Sequence, residues 1–457
     1  MARCFCRWRR VLICVCTPFI SLALLLFLIM VMLCTAMESG IRNPHFVAPG
    51  NHKIEGLAPL PKTFWDTSQH SQAIWNRLQL TNDRRFNPIL HPKKLTRRFG
   101  NGNFNEATLK NVYSEVTDSN TNYDKLPQQI QDFVSHMQRR DYPLLLQPDG
   151  VCGAGAQDEK EPPLLLLAIK STELNFKNRH VIRQTWGQGG WVAGRKRNSN
   201  GGGYVRRVFL LGKENTEELG VDLSEILQME SKLHGDILQW DFSDTFFNLT
   251  LKDVLFWSWF SSSCGQTSFV FKGDDDVFVN TPNMLSYLKG ELKKPQAQES
   301  MKGFMAGDVI IRALPNRVNN SKYYVPESFY KGQYPLYAGG GGVVYSGLLA
   351  KRLHDVSKRV HLFPIDDVYV GMCMARLNAG PVHHPAFLTF DFTGNDEDQL
   401  CSYHGILLVH RRLPNQVLKL WANMKKTEAQ CWGVPLRGGD KKKHNTVSKP
   451  QVTLKIH

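Results

Sequence analysis

Four short apolar runs constrain the fold most: Leu164–Ile169 (LLLLAI), Val208–Leu211 (VFLL), Asp236–Trp240 (DILQW) and Phe269–Phe271 (FVF). A strand with one wet face alternates apolar and polar residues. A continuous run needs cover on both faces, as in a parallel sheet packed between helices. Stretches of helical character separate the runs, at about 173–186, 217–234 and 249–263. This strand-helix-strand repetition predicts an α/β doubly wound, mostly parallel central sheet. A preceding helix is expected over Leu126–Arg140, where Ile130, Phe133, Val134 and Met137 recur at helical spacing.

Val11 to Met37 is uncharged and mostly apolar, broken only by Pro18. It exceeds the roughly 20 residues a bilayer crossing needs and the ~7–15 of a cleaved signal. A retained transmembrane helix is expected. Arg3, Arg7, Arg9 and Arg10 precede it and Glu38 follows, which places the N-terminus in the cytosol and the body in the lumen. The organisation expected is a cytoplasmic tail (1–10), a signal-anchor (11–37), a stem (38–125), a catalytic body (126–431) and a basic disordered tail (432–457). Trp65 and Trp75 in the stem can pack back onto the body. Cys4 and Cys6 sit where palmitoylation occurs.

The net charge of +15 is concentrated. Residues 1–10, 187–207 and 432–457 together carry +14 of it. The rest is nearly neutral, which argues against a nucleic-acid partner. The Gly-rich basic stretch 187–203 reads as a mobile surface loop. Sequons at Asn248 and Asn319 fit a secretory glycoprotein. Five cysteines belong to the body: Cys152, Cys264, Cys373, Cys401 and Cys431. Cys152 precedes the first strand and Cys264 the fourth. If those strands are parallel neighbours, Cys152–Cys264 forms at one sheet edge. Cys373–Cys401 is the second pair expected, leaving Cys431 over.

The chemistry concentrates in Phe269–Val279, FVFKGDDDVFV. A buried strand runs straight into Asp274, Asp275 and Asp276. Ligand sites of open α/β sheets lie at such carboxyl ends. Three adjacent carboxylates repel unless a cation neutralises them, and hard oxygen donors suit Mg²⁺ or Mn²⁺ bridging to a diphosphate. His410, ending the run Ile406–Val409, is a candidate further ligand. Asp366 and Asp367 open a helix in PIDDVYVG; one can cap it while the other does base chemistry. Tyr337 leads into Gly339, Gly340, Gly341 and Gly342, a run that permits close backbone approach to a ligand. Arg179 and Arg183, four apart on one helix face, can face a diphosphate or pair with acids. Asp244 can reach a nucleotide base or cap the next helix.

Together, RHVIRQTWG (179–187), DTFFNLTLK (244–252), FVFKGDDDVFVN (269–280), YAGGGG (337–342), PIDDVYVGMC (364–373) and LLVH (407–410) resemble the β-1,3-glycosyltransferases of glycosyltransferase family 31. Within it the chain most resembles the N-acetylglucosaminyltransferases that extend poly-N-acetyllactosamine. The resemblance implies a GT-A nucleotide-sugar fold and a Golgi type II membrane glycoprotein. It implies inverting, Mn²⁺-dependent transfer of GlcNAc from UDP-GlcNAc to a terminal galactose, in β-1,3 linkage. Asp276 and His410 would hold Mn²⁺, and Asp367 would be the base with Asp366 beside it. Lys170, Asp244 and Asp274 or Asp275 would touch the nucleotide sugar. The alternatives are β-1,3-galactosyl transfer from UDP-Gal and an inactive carbohydrate-binding protein on the same fold. The chain departs from the family at Arg139, where relatives often carry Cys, in the lengthened 187–207 loop and in the tail beyond Cys431.

Overall fold

The computed structural model of the chain describes residues 25–26, 29–30, 73–86, 123–148, 152–155, 158–195 and 202–438. The chain divides into two units, Met1–His52 and Lys53–His457. In the first, Leu25, Leu26, Ile29 and Met30 are helical and exposed; the rest of the expected span and the cytoplasmic tail lie outside the described residues. Among the described residues, no helix is long and apolar enough to cross a membrane. Most of the stem, Trp65 included, and residues 439–457 of the basic tail also lie outside them.

The second unit holds, in chain order, α1 (Ile74–Phe86), α2 (Gln128–His136), β1 (Leu144–Leu146), β2 (Leu165–Lys170), α3 (Phe176–Gln184), β3 (Gly190–Val192), β4 (Gly203–Lys213), α4 (Ser224–His234), β5 (Ile237–Ser243) and α5 (Leu249–Ser263). It continues with β6 (Phe269–Asp274), β7 (Phe278–Val279), α6 (Thr281–Leu292), β8 (Met305–Ile310), β9 (Tyr337–Ser346), α7 (Gly347–Ser357), α8 (Asp366–Arg376), β10 (Val382–His383), β11 (Phe387–Leu388), β12 (Leu408–Val409) and α9 (Pro414–Thr427).

The central sheet runs β1-β5-β4-β2-β6-β9-β8-β10. Its middle, β5-β4-β2-β6, is parallel; β1, β3 and β9 join antiparallel and β8 pairs antiparallel with β9, so the sheet is mixed and not, as expected, mostly parallel. Each apolar run became one of these middle strands. Every residue of β2 is buried. Leu166 and Ala168 face one hydrophobic layer and Leu165, Leu167 and Ile169 the other. Helix α5 is buried without a break over Thr250–Trp257 and again at Phe260, while Ser258 and Ser262 reach the surface.

Helix α1 lies in the expected stem yet belongs to the core. Trp75 is 2% exposed. Its indole donates to Leu362 O at 3.0 Å, and its ring meets Tyr330 and Phe363 edge-on at 5.5 and 5.7 Å. Arg376 forms a buried bidentate pair with Asp83 of the same helix.

Two further expectations need correction. The 187–203 stretch is not simply a loop: Gly190–Val192 pairs antiparallel with β4, opposing Trp191 to Tyr204. Their rings meet edge-on at 5.2 Å, which closes a hairpin against the loop tendency of the glycines. Arg206 and Arg207, at its end, pair with Glu159 and Asp236. Cys152 and Cys264 are bonded, with β2 and β6 parallel neighbours as required. The second bond, however, is Cys401–Cys431, not Cys373–Cys401. Cys373 lies buried within α8 as a free thiol, while Cys431 follows α9 and reaches the turn that carries Cys401.

Replacing Trp75 with Ala removes a filled site and an indole hydrogen bond. We expect a loss of about 3–5 kcal/mol, read as a lowered Tm and an earlier denaturant midpoint. An unchanged Tm would show that α1 does not support the body.

Candidate functional site

The carboxyl ends of β2 and β6 lie side by side, with Lys170 in register with Asp274. β9 runs antiparallel to β6, which brings Gly342 beside Gly273. The first turn of α8 carries Asp366 and Asp367, and β12 delivers His410.

A buried ionic chain ties these ends together. Lys170 pairs with Asp366 in a very short contact and with Asp253 of α5 at 3.3 Å. Lys272 of β6 donates to Asp253 at 3.0 Å and lies 3.8 and 3.9 Å from Asp366 and Asp367. Burial opposes the charge on Lys170, but Asp253 and Asp366 raise its pKa well above the ordinary range. Burial likewise opposes charge on Asp366; Lys170 and Lys272 override it and hold this carboxyl below the carboxylate range. Asp367 is pushed up to about 6 by burial and by the neighbouring Asp366 charge. It keeps one backbone partner, the Gly340 N–H, at 3.0 Å. The N-cap residue of α8 is Ile365, and no side chain caps the helix. Sequence reading missed Lys272 and Asp253. Their signal was a charge inside an otherwise apolar strand and an apolar helix.

Asp274, Asp276 and His410 form a second cluster, with ligand atoms within 4.8 Å of one another. His410 Nε2 is 3.3 Å from Asp276 Oδ1 and 4.0 Å from Asp274 Oδ2. Asp276 Oδ1 is buried and, apart from this His410 contact, has no hydrogen-bond partner among the described residues. Desolvation raises the Asp274 carboxyl to about 7; Lys170 opposes the rise and Asp366 and Asp276 add to it. Burial lowers the His410 pKa, but Asp276 and Asp274 make the net shift upward. A carboxyl and an imidazole both shifted toward their protonated forms, Asp274 and His410, beside the Asp276 carboxylate, suit a hard divalent cation, which displaces such protons on binding. The donor set and the unsatisfied oxygen fit Mn²⁺ or Mg²⁺.

Asp275 faces elsewhere. It accepts from Ser171 Oγ at 2.6 Å, Asn175 Nδ2 at 2.9 Å and Asn178 Nδ2 at 3.3 Å. The arginines face acids rather than a ligand. Arg179 is fully buried and bidentate to Glu230, at 2.9 and 2.7 Å. Arg183 is bidentate to Asp236, at 2.9 and 2.7 Å, and reaches Glu230 at 2.6 Å. The diphosphate reading of both is corrected accordingly. Asp244 is also committed. It accepts from Gly212 N at 2.9 Å and pairs with buried Lys252 at 2.8 Å, and it does not cap α5.

The glycine run lets β9 press against the site. Gly340 and Gly341 adopt φ of +67° and +66°, the left-handed region that only glycine enters without strain. A Cβ on Gly341 would lie 2.8 Å from His410 Cγ. Tyr337 stands half-buried at the start of the run, its hydroxyl pushed up to about 12 by burial and by Asp367. Of the two sequons, Asn319 is exposed, whereas Asn248 is half-buried at the start of α5 and donates to Ser243 O at 2.9 Å.

The galactosyltransferase family profile matches residues 177–385. Human N-acetyllactosaminide β-1,3-N-acetylglucosaminyltransferase 2 is 43% identical over 390 residues, which span 83% of this chain and 91% of the relative. Human N-acetyllactosaminide β-1,3-N-acetylglucosaminyltransferase 4 is 40% identical, over 68% of this chain and 76% of the relative. Rat UDP-GlcNAc:βGal β-1,3-N-acetylglucosaminyltransferase 7 is 40% identical, over 65% and 72%.

Gly341→Ala would drive a methyl group into His410 and force a left-handed alanine. We expect Mn²⁺ affinity, titrated by electron paramagnetic resonance of the free ion, to fall at least about tenfold. The circular dichroism spectrum should remain native. Undiminished Mn²⁺ binding would place the cation elsewhere.

Proposed function

The chain belongs to the galactosyltransferase family, and on that premise we propose that it is an inverting β-1,3-N-acetylglucosaminyltransferase using UDP-GlcNAc. The acceptor is the 3-hydroxyl of a terminal galactose on an N-acetyllactosamine-type glycan of a glycoprotein or glycolipid. The fold is the GT-A type. The observation that carries this reading is the carboxylate of Asp367, which, unlike that of Asp366, is not tied up by a lysine contact shorter than 3.9 Å among the described residues. It is fixed by the Gly340 N–H at 3.0 Å in the cleft that also holds the Asp274–Asp276–His410 cluster. The names of the relatives support the choice of sugar and linkage.

One positioned base is what a single displacement requires; a double displacement needs a nucleophilic carboxylate as well. Asp367 accepts the proton of the acceptor hydroxyl as its oxygen attacks the anomeric carbon. The bond to the UDP oxygen breaks on the opposite face, which converts the α-linked donor into a β-linked product. Asp366, held ionised by Lys170 and Lys272, keeps its own charge next to Asp367 and so sustains the basicity of Asp367. Asp276, Asp274 and His410 would hold Mn²⁺, which when bound supplies positive charge against the leaving diphosphate. Lys170 and the 339–342 backbone contribute positioning. On this reading the enzyme is a type II protein of the Golgi membrane, its body lumenal and the exposed Asn319 a glycan acceptor.

Four outcomes test this. Asp367→Asn should abolish transfer and leave UDP binding within about twofold; full activity would remove the base assignment. Transfer should decline below about pH 6, tenfold per pH unit, because Asp367 must be ionised to act and its carboxyl stands at about 6. A flat kcat profile down to pH 4.5 contradicts it. Chelation should abolish transfer and Mn²⁺ restore it. Offering UDP-GlcNAc and UDP-Gal separately decides the donor, and exclusive use of UDP-Gal would keep the mechanism and replace the sugar.

A further inference from the structure

Thr389 lies just past β11, is 5% exposed and has no place in the sequence motifs. Its hydroxyl donates to Gly339 O at 3.0 Å and lies 3.3 Å from Gly340 O. Its methyl occupies the volume a side chain at position 340 would fill: a Cβ on Gly340 would fall 2.0 Å from Thr389 Cγ2. The neighbouring glycine meets His410 in the same way, at 2.8 Å. Consecutive glycines are thus gripped by Thr389 and by a candidate cation ligand. The Gly340 N–H is the one that holds Asp367.

The turn carrying Thr389 is itself anchored. On one side β11 pairs with β12, and the His410 N–H donates to Leu388 O at 3.2 Å. On the other, Asp391 adopts φ +74° and is clamped by Arg412 at 2.9 and 2.5 Å. A non-glycine residue in that region is strained and persists only where its surroundings fix it. Thr389 is therefore held from both ends while it presses on the glycine turn.

We propose that Thr389 is a positioning residue that couples the cation-binding group to the base, setting His410 and Asp367 through the Gly340–Gly341 turn. The inference rests on the reading of Asp367 and His410 given above. A branched side chain with one donor suits the task. The methyl fills the space beside Gly340, and the hydroxyl satisfies carbonyls that a left-handed turn aims at it. Thr389→Val keeps the shape and removes the donor; Thr389→Ser keeps the donor and removes the methyl.

The test uses the full chain in detergent. Mn²⁺ affinity is titrated by electron paramagnetic resonance without substrate, and kcat and acceptor KM are measured at saturating Mn²⁺. Thr389→Val should weaken Mn²⁺ binding about tenfold and lower kcat about tenfold, as outer-shell changes do, with acceptor KM within twofold. Thr389→Ser should stay within about threefold in both. Both variants should melt within a few degrees of the wild type. A Val variant unchanged in Mn²⁺ affinity overturns the coupling, whatever its kcat. Equal impairment of Val and Ser variants overturns the role of the hydroxyl. If the wild type binds Mn²⁺ but transfers no sugar, the functional reading fails, while the Mn²⁺ titrations still decide the link from Thr389 to His410.

Discussion

The buried pairing of Lys170 and Lys272 with Asp253 and Asp366 is the interaction on which the site depends. It joins the carboxyl ends of β2 and β6 to α5 beneath and to the first turn of α8 above. Breaking a buried pair by removing one partner costs about 3–5 kcal/mol, because the other charge is left without compensation. Two lysines satisfy two aspartates. Asp367 and Asp274 are then surplus negative charges, and their carboxyls are pushed up, to about 6 and about 7, with that of Asp275 raised as well. A surplus of this kind is discharged by a proton or by a cation. The base and the cation cluster are thus consequences of one charge imbalance at one sheet edge.

Much of this was legible in the sequence because it followed from local pattern. Continuous apolar runs gave the parallel strands, and the strand order placed Cys152 beside Cys264. The glycine run announced close approach, and the approach is to His410 and Thr389. What was not legible depended on partners far away in the chain. Arg179 and Arg183 do share one helix face, as their spacing implied. Their partners, Glu230 and Asp236, sit some fifty residues on, and nothing local distinguishes those acids from a diphosphate. Cys431 pairs with Cys401 because α9 returns the chain to that turn, a fact of packing rather than spacing. The Trp191–Tyr204 hairpin was hidden by glycines and basic residues, whose composition alone reads as loop. The stem boundary concealed α1 for the opposite reason. Trp75 was visible, but its depth depends on Tyr330 and Phe363, more than 250 residues later.

The arginine network has a structural consequence that bears on the three consecutive aspartates. Arg179 Nη1 donates to Ser171 Oγ at 3.2 Å, and that hydroxyl donates to Asp275 at 2.6 Å. Asn175 and Asn178 add further donors to the same carboxylate. The middle aspartate is consequently fully occupied with holding the turn against α3. Its neighbours, Asp274 and Asp276, are 46% and 43% exposed and face His410 instead. Three adjacent carboxylates in one cluster would repel too strongly to be preorganised without a ligand. Turning the middle one away leaves two, a number that one imidazole and one divalent cation can balance. The arginines that at first suggested a diphosphate clamp therefore act one step removed: they fix the aspartate that fixes the turn, and the turn presents the other two.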